Sequence, residues 1–313
     1  MLESRPVKMS SARPPSSLVA VALAVALSGC SIKGMAVNAL GNALAKGGTT
    51  YARDDDPDLV GEAVPFGLKT IESLLDEAPR HKGLLFAAVS GFMQYGYAFV
   101  QQEADFAEAK DFERATALRA RARRLYRRAL EYGFRGLEVD FPGFRERLRR
   151  DPKAALAGTK KAHVPLLYWT GLAWGAAIAL SKEDSELTAD QNLVEALERR
   201  ALELDETYER GSIHDFFVAY EGGRPASTGG SAARAREHLE RALSLSQGSR
   251  VAPLVAYAES VAVGSQDRAE FRRLLEQALA VDVNKAPELR LSNLIYQKRA
   301  RWLLGRADEL FIE

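Results

Sequence analysis

The sequence predicts an all-α fold, built as an array of tetratricopeptide-like helical hairpins. Apolar and small residues recur at helical spacing through most of the chain, and almost no stretch shows the alternation typical of a strand. Glycine, proline and serine are concentrated in the connections, most clearly in the loop from Glu221 to Ser231. A four-residue pattern of the type R-A-L-E also returns along the chain. These three features favour helices joined by loops and arranged as a repeated unit.

The repeated pattern predicts the size of that unit. Its copies are Arg128–Glu131, Arg200–Glu203, Arg241–Ser244 and Gln277–Ala280. Their alanines are 72, 41 and 36 residues apart, close to multiples of the tetratricopeptide period of about 34 residues, with insertions. The bulky, small, bulky spacing of Leu167, Gly171 and Trp174 fits the first helix of such a hairpin, because a small residue lets two helices approach closely. An irregular helical bundle is the alternative.

The first helix of the main domain has clear start and stop signals. Asp56 is a capping residue and Pro57 follows it at the first helical position. An apolar stripe continues from there, although Pro65 is expected to interrupt and kink it. Pro79 is expected to end the helix.

Eight further helices follow from the same kind of pattern. They are predicted at Leu84–Glu103, Phe112–Glu131, Val164–Leu180, Gln191–Leu204, Ala232–Leu245, Pro253–Val263, Arg268–Val281 and Pro287–Gly305. Two segments, Gly83–Gln102 and Ala162–Ser181, are long enough and free enough of charge to suggest membrane spans. Their polar residues, glycines and scattered aromatic residues favour buried helices instead.

The N-terminus has the pattern of a lipoprotein signal peptide. Basic residues precede the uncharged run LVAVALAVAL at Leu18–Leu27, which is followed at once by Ser28, Gly29 and Cys30. This lipobox predicts cleavage before Cys30 and lipidation of that residue, the only cysteine in the chain. An ordinary membrane span is the alternative, but the run is far shorter than the roughly 20 residues that a bilayer core requires.

The predicted organisation follows from this signal. Residues 1–29 are the signal peptide, residues 30–53 are the lipidated N-terminus with a Gly/Asn/Ala-rich tether, and residues 54–313 are the helical domain. A multiply acylated cysteine holds a protein firmly to a membrane. We therefore expect a periplasmic protein held by a lipid anchor, and Ser31, in place of an aspartate after the cysteine, favours the outer membrane.

The overall charge argues against a nucleic-acid partner. The chain has 43 basic and 42 acidic side chains, so no large field of one sign surrounds it. One local exception is the stretch from Arg114 to Arg150, with twelve arginines and four acids. A solvated helix face explains this stretch, and an acidic partner or lipid headgroups are the alternatives.

The sequence contains no motif that indicates catalysis, a metal or a cofactor. Four histidines, His81, His163, His214 and His238, are far apart and have no cysteine partners. No phosphate-binding loop, nucleophile elbow or calcium loop is found. The pair His214 and Asp215 could belong to a site, but a structural histidine is the simpler interpretation. We predict a protein that is not an enzyme and has no catalytic residue, no metal site and no cofactor.

Aromatic residues on the two uncharged helices are the candidate ligand contacts. These are Tyr95, Phe99, Tyr168, Trp169 and Trp174. Pockets are mostly aromatic and aliphatic, so these residues could line an apolar channel for a hydrophobic small molecule. Ordinary core packing is the alternative.

Two stretches resemble a known family. DDDPDLVGEAVPFGLKTIESLLDEAPRHKGLLFAAVSGFMQYGYAFVQQEAD at Asp54–Asp105 and RARRLYRRALEYGFRGLE at Arg121–Glu138 are similar to the T component of tripartite ATP-independent periplasmic (TRAP) transporters, a family of lipoproteins. The resemblance implies cryptic tetratricopeptide-like hairpins with a pore that accepts a hydrophobic ligand. It also implies association with the periplasmic substrate-binding (P) component, and a homotrimer that docks several such subunits.

The sequence therefore supports one main functional hypothesis and two alternatives. The main hypothesis is a non-catalytic lipoprotein accessory to a TRAP-type uptake system, which binds the P component and a hydrophobic small molecule. The first alternative is a scaffold lipoprotein that uses a concave helical surface for protein assembly in the cell envelope. The second is an envelope enzyme that uses scattered acidic residues.

Overall fold

The computed structural model of the chain describes residues 39–41 and 48–312. The predicted signal peptide of residues 1–29, the lipidation site at Cys30 and most of the predicted tether lie outside the described residues. Lipidation of Cys30 and the three segment boundaries therefore stay predictions. Residues 39–41 form a helical turn, and the main body begins with the short helix at Gly48.

The all-α prediction is confirmed, since the structure is 79% helical and has no strand among the described residues. We label the α-helices in chain order. They are α1 Gly48–Ala52, α2 Pro57–Glu77, α3 Lys82–Tyr95, α4 Gln102–Ala107, α5 Phe112–Asp140, α6 Phe144–Arg150, α7 Pro152–Leu156, α8 Val164–Ala179, α9 Ser185–Ala189, α10 Gln191–Leu204, α11 Ser212–Gly222, α12 Ala232–Ser246, α13 Ala252–Tyr257, α14 Arg268–Leu279, α15 Arg290–Gly305 and α16 Ala307–Leu310.

Helix α2 begins where the sequence predicts but is not interrupted. The side chain of Asp56 accepts hydrogen bonds from the amides of Asp58 and Leu59, and Pro57 occupies the first turn. Pro65 lies inside the helix, which continues to Glu77, so the predicted interruption is wrong. A proline cannot donate the backbone hydrogen bond of a helix interior. Helix α2 nevertheless continues, because its packing against α3 stabilises it.

The second predicted helix contains a π-helical turn. The prediction of one helix over Leu84–Glu103 corresponds to α3, a π-helical segment at Gly96–Gln101, and α4. At Gly96, a Cβ atom would lie 2.8 Å from the ring of Tyr126, so the backbone approaches α5 closely there. A π-turn rotates the residues that follow it around the helix axis, which changes the direction in which Tyr97 projects.

Several elements differ from the sequence prediction. Helix α5 runs on to Asp140, well beyond the predicted end at Glu131. Helices α6 and α11 and the short helices α1, α7, α9 and α16 were not predicted. Helix α6 has seven residues, four of them arginines, and only Phe144 and Leu148 are buried. By contrast, α10 has the predicted bounds Gln191–Leu204.

Neighbouring long helices pack antiparallel, and glycines lie at the crossings. A Cβ atom at Gly133 of α5 would lie 2.3 Å from Thr170 Oγ1 of α8, and one at Gly136 would lie 2.7 Å from Leu166 Cδ2. Helices α5 and α8 therefore run in opposite directions. Likewise, Gly171 of α8 faces Glu198 of α10 at a hypothetical Cβ distance of 2.3 Å. The small residue predicted to allow close approach does so at this contact.

The last long helix returns to the beginning of the chain. Contacts run in turn from α8 through α10, α11 and α13 to α15, and α15 contacts α1 and α2. The rings of Phe106 and Trp302 have centroids 5.3 Å apart. The Arg290 guanidinium donates a 3.0 Å hydrogen bond to the carbonyl of Arg53. The described helices therefore form a closed circuit.

The two uncharged segments are core helices of this circuit. Lys82–Ala107 is the one described helical stretch that is long and apolar enough to cross a membrane by length and composition, and 56% of its most apolar window is buried inside the protein. It packs against α2, α5 and α8. Ala162–Ser181 forms α8, in which Leu167 and Trp174 are buried. Both segments therefore form helices that pack inside the protein.

Candidate functional site

Six separate elements bring side chains together on the inside of the closed circuit. We name this group the inner cluster. It consists of Tyr97, Tyr168, Trp169, Tyr208, Glu209, Asp215, Arg250 and Tyr296. The members come from the π-helical segment, α8, the 3-10 turn Tyr208–Arg210, α11, the loop before α13, and α15. These elements are spread along the chain, and only the 3-10 turn and α11 directly follow each other in sequence.

Aromatic contacts organise one side of the inner cluster. The indole N–H of Trp169 donates a 3.2 Å hydrogen bond to the hydroxyl of Tyr208. The ring of Tyr168 lies edge-on to the ring of Tyr208, with centroids 5.5 Å apart. On the other side, the rings of Tyr97 and Tyr296 have centroids 5.8 Å apart. These rings present apolar faces with a few fixed hydroxyl groups, a combination that suits a binding pocket.

The backbone that carries Glu209 is strained. Glu209 has φ +43° and ψ +45°, and Arg210 has φ +57°. Non-glycine residues adopt this left-handed region at a cost of about 1–3 kcal/mol each, and such residues cluster at functional sites. The guanidinium of Arg250 donates a 3.1 Å hydrogen bond to the carbonyl of Glu209, which holds the turn in this conformation.

One ion pair lies in the inner cluster. The Arg250 guanidinium donates to the Asp215 carboxylate, and the two side chains are only 11% and 13% exposed. Desolvation raises the pKa of Asp215. Desolvation alone would lower the pKa of Arg250, but attraction to Asp215 raises it instead. Asp215 Oδ1 and Arg250 Nε are buried and have no hydrogen-bond partner within the described part of the chain.

Desolvation also acts on the remaining ionisable groups of the cluster. It raises the pKa of Glu209, although this residue is exposed at the protein surface, where solvent weakens the effect. Desolvation also raises the pKa values of Tyr97, Tyr168 and Tyr296. The cluster is therefore aromatic, and its tyrosine hydroxyl groups are able to donate hydrogen bonds.

The five residues predicted to contact a ligand lie in three places. Tyr168 and Trp169 belong to the inner cluster. Tyr95 and Phe99 contact each other at a centroid distance of 5.8 Å, and the Phe99 ring fills the space beside Gly61 of α2. Trp174 packs edge-on against Phe134 of α5 at 5.2 Å.

Sequence reasoning missed most of the inner cluster. Tyr208, Glu209, Arg250 and Tyr296 are on short turns or on a helix with no unusual composition, so no local pattern marked them. Asp215 follows a histidine that was noticed, but its role as the partner of Arg250 depends on how the circuit closes.

The pair of histidines on α11 and α12 is a second buried polar feature. The Nδ1 atoms of His214 and His238 are 2.7 Å apart, and His214 Nε2 is 3.2 Å from Glu206 Oε1. The ring of His238 also stacks on Phe217, with centroids 4.9 Å apart. Across the described ranges, no group of three or more His, Cys, Asp or Glu residues is arranged to hold a metal ion. His214 is thus a hydrogen-bonded histidine inside the helix packing.

The helical circuit with its aromatic inner cluster defines an all-helical protein. Comparison with known families gives the particular family. The family model for the TRAP transporter T-component matches residues 53–311, so this chain belongs to the T-component family of TRAP transporters. A protein of Treponema pallidum (strain Nichols), described only as an uncharacterized protein, is 31% identical over 306 residues, which cover 91% of this chain and 94% of that relative.

Membership of this family has coarse functional consequences. It gives the protein an accessory role in a TRAP transporter and a periplasmic or membrane-associated location. The family is a transporter accessory and not a known class of enzyme.

Proposed function

We propose that this protein is a non-catalytic lipoprotein that binds the periplasmic P component of a TRAP-type uptake system. The family match over residues 53–311 is the observation that carries the proposal. The leader with its lipobox at Cys30 supports a lipid-anchored periplasmic location, and Ser31 favours the outer membrane. Lipid on Cys30 would keep the helical domain within reach of a soluble binding protein.

The fold proposal is a curved array of tetratricopeptide-like hairpins. The antiparallel packing of α5, α8 and α10 supports it, as do the close approaches at Gly133 and Gly171. Stacked hairpins form concave surfaces that receive proteins or ligands. A homotrimer of such subunits would present several docking surfaces to P components at once.

The inner cluster is the proposed site for a hydrophobic or amphiphilic small molecule. The rings of Tyr97, Tyr168 and Tyr296 offer apolar area, and burial of apolar area stabilises a complex by about 25 cal/mol per Å2. The neutral hydroxyl groups and the Arg250–Asp215 pair provide polar contacts for one end of an amphiphile. Trp169 is positioned to report binding, because its indole contacts Tyr208.

Crosslinking in cells tests the role in transport. The tagged full-length protein, expressed in its own host, is crosslinked in the envelope at physiological salt, and its partners are identified by mass spectrometry. We expect a TRAP P component among the crosslinked partners, and we expect much less of it with Cys30→Ser, which cannot be lipidated. Recovery of envelope assembly proteins without a P component would instead support the scaffold alternative.

A further inference from the structure

The arginine-rich stretch noticed in the sequence forms one wall of an outer groove. This groove lies between α5, α6 and the end of α8 and has a volume of about 520 Å3. We name it the arginine groove. Its lining residues are Arg127, Arg128, Leu130, Glu131, Tyr132, Phe134, Arg135, Arg145, Arg149, Trp174 and Leu187. Five arginines and a single acid line it, together with three aromatic rings.

The aromatic rings form a largely buried floor under two of the arginines. The guanidinium carbon of Arg145 is 4.3 Å from the centroid of the Phe134 ring, and that of Arg135 is 5.1 Å from the Tyr132 ring. Arg145 also pairs with Glu131 at 2.8 Å, and Arg135 donates a 3.2 Å hydrogen bond to the carbonyl of Pro79. The buried indole N–H of Trp174 has no acceptor among the described side chains and backbone.

Two of the existing acidic partners of the groove arginines are weakly held. Arg127 pairs with Asp184 and Arg145 pairs with Glu131, and each side chain of these two pairs is about one-third exposed or more. Arg128 pairs with Glu72 and Arg149 pairs with Asp190; these arginines are 49% and 58% exposed, whereas their acids are 12% and 14% exposed. Exposed pairs contribute about 0–1 kcal/mol, so an incoming carboxylate can replace Asp184 or Glu131 at little cost.

Further positive charge lies on α5 and α6, outside the lining of the groove. Arg124 on α5, and Arg147 and Arg150 on α6, are exposed and have no ion-pair partner in the part of the chain that the structure describes. A partner that binds here is therefore attracted by uncompensated charge, and the attraction weakens as salt increases.

We propose that the arginine groove binds an acidic, extended segment of a partner protein, with one apolar side chain of that segment against Tyr132 and Leu187, the partly exposed apolar residues of the lining. The groove is concave and has an aromatic floor, so it fits a peptide chain better than the broad layer of lipid headgroups. Carboxylates of the segment would pair with Arg127, Arg145 and Arg149. This surface is separate from the inner cluster, and the proposal holds whether or not that cluster binds a ligand.

Fluorescence polarisation tests the proposal on the full-length lipoprotein in neutral detergent. The probe is a fluorescein-labelled peptide of twelve residues, Glu and Asp in alternation with one central Trp. We expect saturable binding that weakens as salt rises. Arg149→Glu is expected to raise the Kd about tenfold or more, since it reverses a charge in the groove. Arg301→Glu, at an exposed and unpaired arginine of α15, is the matched control and is expected to change the Kd less than about twofold.

Three further measurements make the result decisive. Circular dichroism shows that both variants remain folded, and Arg127→Glu serves as the test variant if Arg149→Glu does not fold. A peptide with Ala in place of its Trp is expected to bind several times more weakly. No binding of the acidic peptide, an equal loss in Arg149→Glu and Arg301→Glu, or binding to phosphatidylglycerol vesicles without peptide binding would each overturn the proposal.

Discussion

The rings of Tyr97 and Tyr296 lie 5.8 Å apart, centroid to centroid, although Tyr97 follows the third helix and Tyr296 belongs to the last long helix. Both residues are partly buried, and desolvation raises the pKa of both hydroxyl groups. The pair joins the two ends of the helical circuit. The inner cluster therefore depends on closure of the circuit, and closure can be tested through the ion pairs beside these rings.

Arg299 is expected to be the most important polar contact for closing the circuit. Its guanidinium donates hydrogen bonds of 2.6 and 2.8 Å to Glu259 and one of 3.0 Å to Asp105, and its side chain is 11% exposed. Removal of one member of a buried ion pair costs about 3–5 kcal/mol. We therefore expect Arg299→Met to lower the free energy of unfolding by that amount in urea titrations followed by circular dichroism.

The matched control for this prediction lies two residues further on α15. Arg301 is exposed and unpaired, so Arg301→Met is expected to change the free energy of unfolding by less than about 0.5 kcal/mol. Equal effects of the two substitutions would contradict a closing role for Arg299.

Gly171 and Gly175 of α8 are expected to respond in opposite directions to alanine. A Cβ atom at Gly171 would lie 2.3 Å from Glu198 Oε1, whereas one at Gly175 would make an ordinary 3.5 Å contact with Val194. Overpacking costs about 1–3 kcal/mol, and alanine is favoured over glycine in a helix by up to about 1 kcal/mol. Thermal unfolding should therefore show a lower Tm for Gly171→Ala and an unchanged or higher Tm for Gly175→Ala.

Glu198 is expected to make the protein less stable as pH rises. It is fully buried, neither carboxyl oxygen has a hydrogen-bond partner among the described residues, and desolvation raises its pKa well above 4.5. The folded state therefore keeps a proton that the unfolded state releases above pH 4.5, so the stability present at low pH is lost as pH rises. Glu198→Gln removes this proton exchange.

Urea titrations of the wild type and Glu198→Gln at several pH values check this prediction. Between pH 5 and pH 8, the free energy of unfolding of Glu198→Gln should rise relative to that of the wild type, by at most about 1.4 kcal/mol per pH unit. A difference that stays constant with pH would show that Glu198 is ionised in the folded protein.

The histidine pair is expected to make the protein less stable as pH falls. Desolvation lowers the pKa of His214, and desolvation together with the charge of His214 lowers the pKa of His238 to about 4. Below pH 6.5 the unfolded state binds more protons, so stability is lost as pH falls towards 4. The groups that share this environment are Glu206, Arg241, Glu221, Arg199 and Arg234.

His238→Phe tests the pair while it keeps an aromatic ring on Phe217. Between pH 7 and pH 4, its free energy of unfolding should fall by about 1–2 kcal/mol less than that of the wild type. The carboxylates of the protein titrate in both proteins, so only the difference between them reports on the histidines. Parallel pH profiles would contradict the assignment.

The sequence predicts helices well wherever an apolar stripe is regular. Helix α10 has the predicted bounds, and the small residue at Gly171 lies at a close helix crossing. The uninterrupted passage of α2 through Pro65 was not predicted, because packing against α3 outweighs the local effect of a proline. Helix α6 was missed because its apolar pattern consists of only two residues, Phe144 and Leu148, among four arginines.

The candidate site could be predicted only in part. Tyr168 and Trp169 stand out because α8 is apolar and rich in aromatic residues. Glu209 and Arg250 could not be found in the same way, since a strained turn and a loop bring them to the site only after the circuit has closed. Residues far apart in sequence become neighbours through tertiary packing, which local patterns do not encode.

Mass spectrometry of retained small molecules tests the central claim most directly. The full-length protein is extracted from its native envelope in mild detergent, and the bound molecules are identified and quantified for the wild type, Tyr296→Ala and Tyr51→Ala. Tyr51 is exposed and lies outside the inner cluster. The account predicts a stoichiometric apolar or amphiphilic molecule in the wild type and in Tyr51→Ala, and its loss from a folded Tyr296→Ala. A wild type that retains no such molecule, or equal retention by both variants, would contradict a binding role for the inner cluster.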